Sequence, residues 1–167
     1  MSSSHLAPAS AQTAERQASR HITTVGAVPQ PDHAVVVVME NHSYGEIIGS
    51  ASAPYINSLA TSGAKFTQSF GVTHPSEPNY LALFSGSTQG VTDDSCPHTW
   101  ATANLGSEVI AKALTFKGYS ASMPSNGYAG CTSGSYARKH NPWVSFCPGG
   151  CSVALLGAVD GETPDTE

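Results

Sequence analysis

The stretch His33-Ala34-Val35-Val36-Val37-Val38-Met39 leaves this chain the least freedom. Its β-branched side chains are stiff at χ1 and favour extended backbone. The run is apolar on both faces and does not alternate, which reads as a central, parallel strand buried on both sides. It ends abruptly in Glu40-Asn41-His42-Ser43. Open α/β sheets bind ligands beyond the carboxyl ends of their strands, so Glu40 and Asn41 are candidates for one edge of a site. A carboxylate and an amide oxygen suit a hard divalent cation or the surroundings of a phosphate. The competing reading is an ordinary strand-to-loop transition with a solvated glutamate.

The chain then continues in alternation. Ser52-Ala53-Pro54 starts a helix with Pro54 in its first turn, Ile56, Leu59 and Ala60 on one face and Gly63 as the stop. From Ala64 to Val72 the period is two, with Phe66, Phe70 and Val72 opposite Lys65, Thr67 and Ser69, which predicts a second strand. That strand leads into Thr73-His74-Pro75-Ser76-Glu77-Pro78 and an apolar run closed by Gly86. Pro78 fits the first helical turn, with Ser76 just ahead of it and Gly86 as the terminator. The order strand, helix, strand, helix predicts an α/β fold with a doubly wound sheet. Both strands would then deliver polar residues to the same rim. A hydroxyl at a helix N-terminus lies among free N–H groups in a positive field, where phosphate prefers to bind. Ser76 is therefore either a helix cap or a nucleophile.

Beyond Gly86, Asp93 and Asp94 read as solvated turn residues in preference to metal ligands. Asn104 to Lys117 has amphipathic helical spacing ended by Gly118, and Gly118 to Met123 suggests a third short strand. Arg138-Lys139-His140 is the one concentrated basic patch. Lys139 and His140 are candidates to bind a phosphate group, the competing reading being a solvated helix end. Seven Lys and Arg against twelve Asp and Glu give a net charge of −5, which argues against nucleic-acid binding. No apolar run approaches the roughly 18 residues of a spanning helix. Residues 1–32 read as a disordered tail or signal remnant; no apolar signal core is present, although Ala7 to Ala14 resembles the small residues around a signal-peptidase site. Four cysteines allow three pairings, and Cys147 and Cys151 find no second pair for a structural zinc site. A Cys96–Cys131 disulfide is plausible in an exported protein.

A serine nucleophile needs a base or a metal. The G-x-S-x-G elbow is absent, and His74 without an orienting acid makes a weak case for a metal-independent serine hydrolase. Metal-assisted phosphoryl transfer fits better. Val35 to Ser43 and Thr73 to Gly86 resemble two blocks of the phosphoesterase family that contains bacterial acid phosphatases and phospholipase C-type enzymes. Ser52-Ala53-Pro54, Asn104 to Glu108 and Tyr136 to His140 with Pro142-Trp143-Val144 resemble it as well, in the same order. The resemblance implies an alkaline-phosphatase-like sheet, secretion, and a divalent metal ion of unknown identity held by Glu40 and Asn41. It further implies Ser76 as the nucleophile forming a phosphoseryl intermediate. Asn79 would hold a phosphoryl oxygen, since Ser-Glu-Pro-Asn is similar to the Thr-x-Pro-Asn of nucleotide pyrophosphatases in the same superfamily. Cys96 and Cys131 fall where a relative has cysteines.

The implied substrate is a phosphate monoester or a phosphoinositide, with a phospholipase C-type phosphodiesterase and a non-catalytic phosphate-binding remnant as alternatives. The resemblance runs from His33 to Phe146 and stops there, whereas relatives continue for roughly another hundred residues. Residues 33–146 are thus expected to be the N-terminal half of the domain, and residues 147–167 a divergent tail from a frameshift, a truncated gene or a real short variant. Such a half is expected to hold cations poorly and to turn over weakly or not at all.

Overall fold

The structure is a computed structural model and describes residues 29–146. It divides into two compact units, one ending at Ala64 and one beginning at Lys65. Their regular elements are four helices and one hairpin: α1 (Tyr44–Ile47), α2 (Pro54–Ser62), α3 (Ser76–Ser85), α4 (Leu105–Ala111), β1 (Thr132–Ser133) and β2 (Tyr136–Ala137). Two 3₁₀ turns follow, Arg138–His140 and Pro142–Phe146. The expected tail at 147–167, with Cys147 and Cys151, lies outside the described residues, as does most of 1–32.

In the first unit α2 forms as its sequence predicts, with Pro54 in the first turn and Gly63 at the C-cap. The organiser is Asn57, one turn into α2. Its Oδ1 accepts the Gly49 N–H at 2.6 Å, and its Nδ2 lies within hydrogen-bond reach of the carbonyls of Ile47 (2.9 Å), Ser50 (3.2 Å) and Ala53 (2.8 Å). One amide thereby ties the end of α1, the intervening turn and the start of α2. Gly49 sits at φ +89, a conformation L side chains rarely adopt.

The strand expected over His33–Met39 is not formed. These residues carry no regular structure, and Val35 is 86% exposed. The expected strands at Ala64–Val72 and Gly118–Met123 are likewise absent, Phe66 and Phe70 being fully on the surface. Strand propensity is largely the energy of packing and pairing against neighbours. Among the described residues nothing pairs with these runs, so their β-branched and aromatic side chains have no ladder to join. The one sheet described is the antiparallel β1–β2 hairpin, pairing Thr132 with Ala137 and Ser133 with Tyr136. Among the described residues the result is mixed helix and strand, and no doubly wound sheet is formed.

The second unit is built on α3. Leu81 and Phe84, one turn apart, face inward at 1% and 5% exposure and join Val91 and Phe146 in a core flanked by Trp100, Phe116 and Trp143. The core is mostly aromatic: Phe84 meets Phe116 at 5.5 Å, Phe146 at 5.7 Å and Trp143 at 6.3 Å between ring centres. Gly86 closes α3 in the left-handed conformation at φ +74, as its position predicts. Helix α4 is shorter than the spacing suggests, ending at Ala111, because Ala113 turns to φ +59. Asn104 caps it reciprocally with Ser107. Cys96 and Cys131 are joined in a disulfide.

Candidate functional site at the start of helix α3

Two prolines and an asparagine shape the approach to Ser76. Pro75 occupies the N-cap in extended conformation, and Ser76 is the first helical residue, one position further in than expected. Ser76 is therefore not the cap, and its half-buried side chain stands at the mouth of the helix. Asn79 shapes the loop before it: Oδ1 accepts the N–H groups of Val72 (2.9 Å) and Thr73 (3.2 Å), while Nδ2 donates to the carbonyls of Thr73 (2.7 Å) and Pro75 (2.8 Å). Both amide hydrogens are thus committed to backbone. Asn79 holds the loop that delivers Ser76, a task distinct from the expected one of holding a phosphoryl oxygen.

Pro75 and Pro78 have no N–H, so the first turn of α3 offers fewer donors than a helix N-terminus usually does. One that it does carry, the N–H of Glu77, donates to Asp94 Oδ1 at 2.8 Å. The other oxygen of Asp94 takes the ammonium of Lys139 at 3.0 Å. Asp94, read from the sequence as a solvated turn residue, therefore joins α3 to the 3₁₀ turn at 138–140. Burial pushes its pKa up, but the Glu77 N–H and the Lys139 ammonium outweigh this and hold the carboxyl below its usual range. Asp93 stays a turn residue, accepting from the Ser95 N–H (3.1 Å) and hydroxyl (2.5 Å).

Glu77 is 3% exposed, and its Oε2 finds no hydrogen-bond donor among the described residues. Burial raises its pKa, with Asp94 adding to the rise and His98 and Arg138 opposing it. Arg138, the first residue of the basic patch, is also buried. Its guanidinium donates to the carbonyls of Ala129 (2.7 Å) and His98 (2.6 Å) and to the Ser145 hydroxyl (3.3 Å). It is a structural clamp between loops and is not available to a ligand. Lys139 faces Asp94, and the His140 ring packs on Tyr80 at 5.4 Å. Ser76, Asn79, Lys139 and His140 thus belong to one unit through α3 and the elements packed on it.

Glu40 and Asn41 belong to the first unit, where both are exposed. Their oxygens are of the kind a hard cation takes, but two donors fall well short of the six or so such an ion needs. Among the described residues no group of three or more His, Cys, Asp and Glu is placed to hold a metal ion. The described donor set does not by itself fit a divalent cation.

The sequence missed Glu77, Asp94 and Arg138 as organisers. Glu77 carries one signal, an acid in the first turn of a helix between two prolines. Asp94 and Lys139 are 45 residues apart, and nothing local announces their pairing.

A model of the phosphoesterase family matches residues 50–152. Among curated proteins the chain is 51% identical over 133 residues to the phosphatidylinositol-3-phosphatase of Mycobacterium tuberculosis, covering 73% of this chain and 44% of that one. It is 31% identical over 121 residues to a probable acid phosphatase of Kluyveromyces lactis, covering 66% of this chain and 28% of the relative. An acid phosphatase of Aspergillus fumigatus is 30% identical over 118 residues, with 66% and 26% covered. The chain spans less than half the length of these relatives. No solved structure matches it.

Proposed function

The chain belongs to the phosphoesterase family, and on that premise we propose that it acts as a phosphoric ester hydrolase of the phosphomonoesterase type, with Ser76 as nucleophile. The observation that carries the reading is the placement of Ser76 as the first residue of α3, inside the matched region, after a loop that Asn79 hydrogen-bonds. In the proposed reaction Ser76 Oγ bonds to phosphorus as the ester oxygen leaves with a proton, giving a phosphoseryl group. Water then attacks that phosphorus and releases inorganic phosphate and the free serine. Lys139 supplies positive charge for the phosphoryl oxygens, and His140 stands beside it in the same turn.

The substrate class follows from the relatives' names, a phosphate monoester including the 3-phosphate of a phosphoinositide. Glu40 and Asn41 are proposed as cation ligands, two of the six or so oxygens such an ion takes. A divalent cation in such an enzyme lowers a hydroxyl's effective pKa and neutralises phosphoryl charge. The alkaline-phosphatase-like sheet belongs to the same proposal: His33–Met39 and Ala64–Val72 enter it as strands where neighbours pair with them. Export is supported by the Cys96–Cys131 disulfide, a bond that persists in oxidising compartments. No helix among the described residues is long and apolar enough to cross a membrane.

The test is hydrolysis of p-nitrophenyl phosphate and of bis(p-nitrophenyl) phosphate by the purified chain, with and without a chelator. The expected result is monoester hydrolysis that the chelator abolishes and that Ser76→Ala lowers on the order of a thousandfold or more. Activity that survives Ser76→Ala refutes the nucleophile. A preference for the diester moves the reading to a phospholipase C-type enzyme, and phosphate binding without turnover makes the chain a binding module.

A further inference from the structure

Asp94 touches both α3 beside Ser76 and the basic turn, through the Glu77 N–H at 2.8 Å and Lys139 Nζ at 3.0 Å. Neither partner is free to wander. On the Asp94 side, Asp93 folds the chain back onto Ser95, Cys96 is bonded to Cys131, and the His98 carbonyl is gripped by Arg138. On the other side, Lys139 follows the buried Arg138 guanidinium in a 3₁₀ turn. The Glu77 amide adjoins Ser76 directly in the chain. A carboxylate held this way has both oxygens in use for different purposes: one fixes the backbone that carries the nucleophile, and the other sets where a cationic side chain stands.

We propose that Asp94 is a positioning residue for phosphoryl transfer, fixing the first turn of α3 under Ser76 and aiming Lys139 at the phosphoryl group. The inference rests on the reading of Ser76 as the nucleophile. It differs from a simple favourable charge on the helix dipole, which acts without Lys139.

Asp94→Asn keeps an oxygen for the Glu77 N–H and removes the charge that holds Lys139; Asp94→Glu restores the charge on a longer arm. Steady-state kinetics on p-nitrophenyl phosphate with the full chain should show Asp94→Asn raising KM about tenfold with kcat changed less than about threefold. Lys139→Met should do the same, and the double variant should be no worse than Lys139→Met alone. Asp94→Glu should recover most of the loss. A role confined to stability would shift the unfolding midpoint and leave the KM of the folded enzyme unmoved, and that result overturns the proposal. Additive losses in the double variant overturn it equally.

If the wild-type chain hydrolyses nothing, the phosphomonoesterase reading fails, and Asp94 is judged on inorganic phosphate, titrated while the Ser76 and Glu77 amides are followed by NMR. Weakening of phosphate about tenfold in both Asp94→Asn and Lys139→Met then supports positioning of Lys139. Phosphate binding untouched by either substitution, or no binding by the wild-type chain, overturns it.

Discussion

Removing the Cys96–Cys131 bond by the double substitution Cys96→Ala/Cys131→Ala isolates what the cross-link contributes without leaving a reactive thiol. The bond closes a loop of 35 residues, and that loop contains α4, Trp100, Phe116 and Gly118. Chain-entropy reasoning gives a loss of about 13 cal/mol/K from the unfolded ensemble for a loop of that length, or about 4 kcal/mol at 25 °C. The folded state should change little, because Arg138 still ties the same loops together through the carbonyls of His98 and Ala129. The effect therefore sits in the unfolded chain, and the signature is specific: the urea midpoint falls while the slope m rises modestly as the denatured chain expands. Trp100 and Trp143, both packed against the core, report the transition by fluorescence. A loss under about 1 kcal/mol with unchanged m would refute the reasoning, since it would mean that the open chain already restrains this loop. Given typical domain stabilities of about 5–15 kcal/mol, the expected loss is a large part of the total.

Glu77→Gln should make stability less dependent on pH between 5 and 8. Burial raises the folded pKa of Glu77, so its stabilising contribution is full below the unfolded value and is lost as pH rises through the folded one. The variant should show a smaller drop in thermal midpoint from pH 5 to pH 8 than the wild type, and equal drops would contradict the assignment. Asp94 has the opposite sign: its contribution is full above the ordinary Asp range and disappears as pH falls through its lowered pKa, so Asp94→Asn should flatten the acid limb. Gly118→Ala should cost about 1–3 kcal/mol by overpacking, because a Cβ there would run into the Trp143 indole at Cε2. Urea unfolding and the near-ultraviolet band of the indole measure it, and an unchanged midpoint would show that the ring yields freely.

Helix α2 and the termination of α3 were legible because their signals are local. Pro54 presets φ for a first turn and removes a donor the helix does not need. Gly86 accepts a left-handed conformation that other residues resist. These preferences act within a few residues, so the sequence carries them whatever the rest of the chain does. The candidate nucleophile was visible for the same reason, as a serine framed by Pro75 and Pro78, although the structure moves it from the cap into the helix.

The strands were not decided locally. Val35 to Met39 has strong extended-chain preference, but a ladder needs a second strand, and among the described residues none lies alongside it. The surroundings of Ser76 were equally out of reach of the sequence. Nothing in the sequence showed that the Asn79 amide hydrogens would donate to the carbonyls of Thr73 and Pro75. Arg138 looked like part of an exposed basic patch, and the fold buries it among carbonyls. Asp94 looked like a turn residue, and the fold brings it to Glu77 across 17 residues and to Lys139 across 45. By itself the sequence determined the start of α2, the end of α3 and which serine stands at a helix mouth, because backbone conformation answers to near neighbours. Which polar groups are buried, and which carboxylate meets which cation, only the tertiary structure decided, because those pairings depend on distances that chain order does not contain.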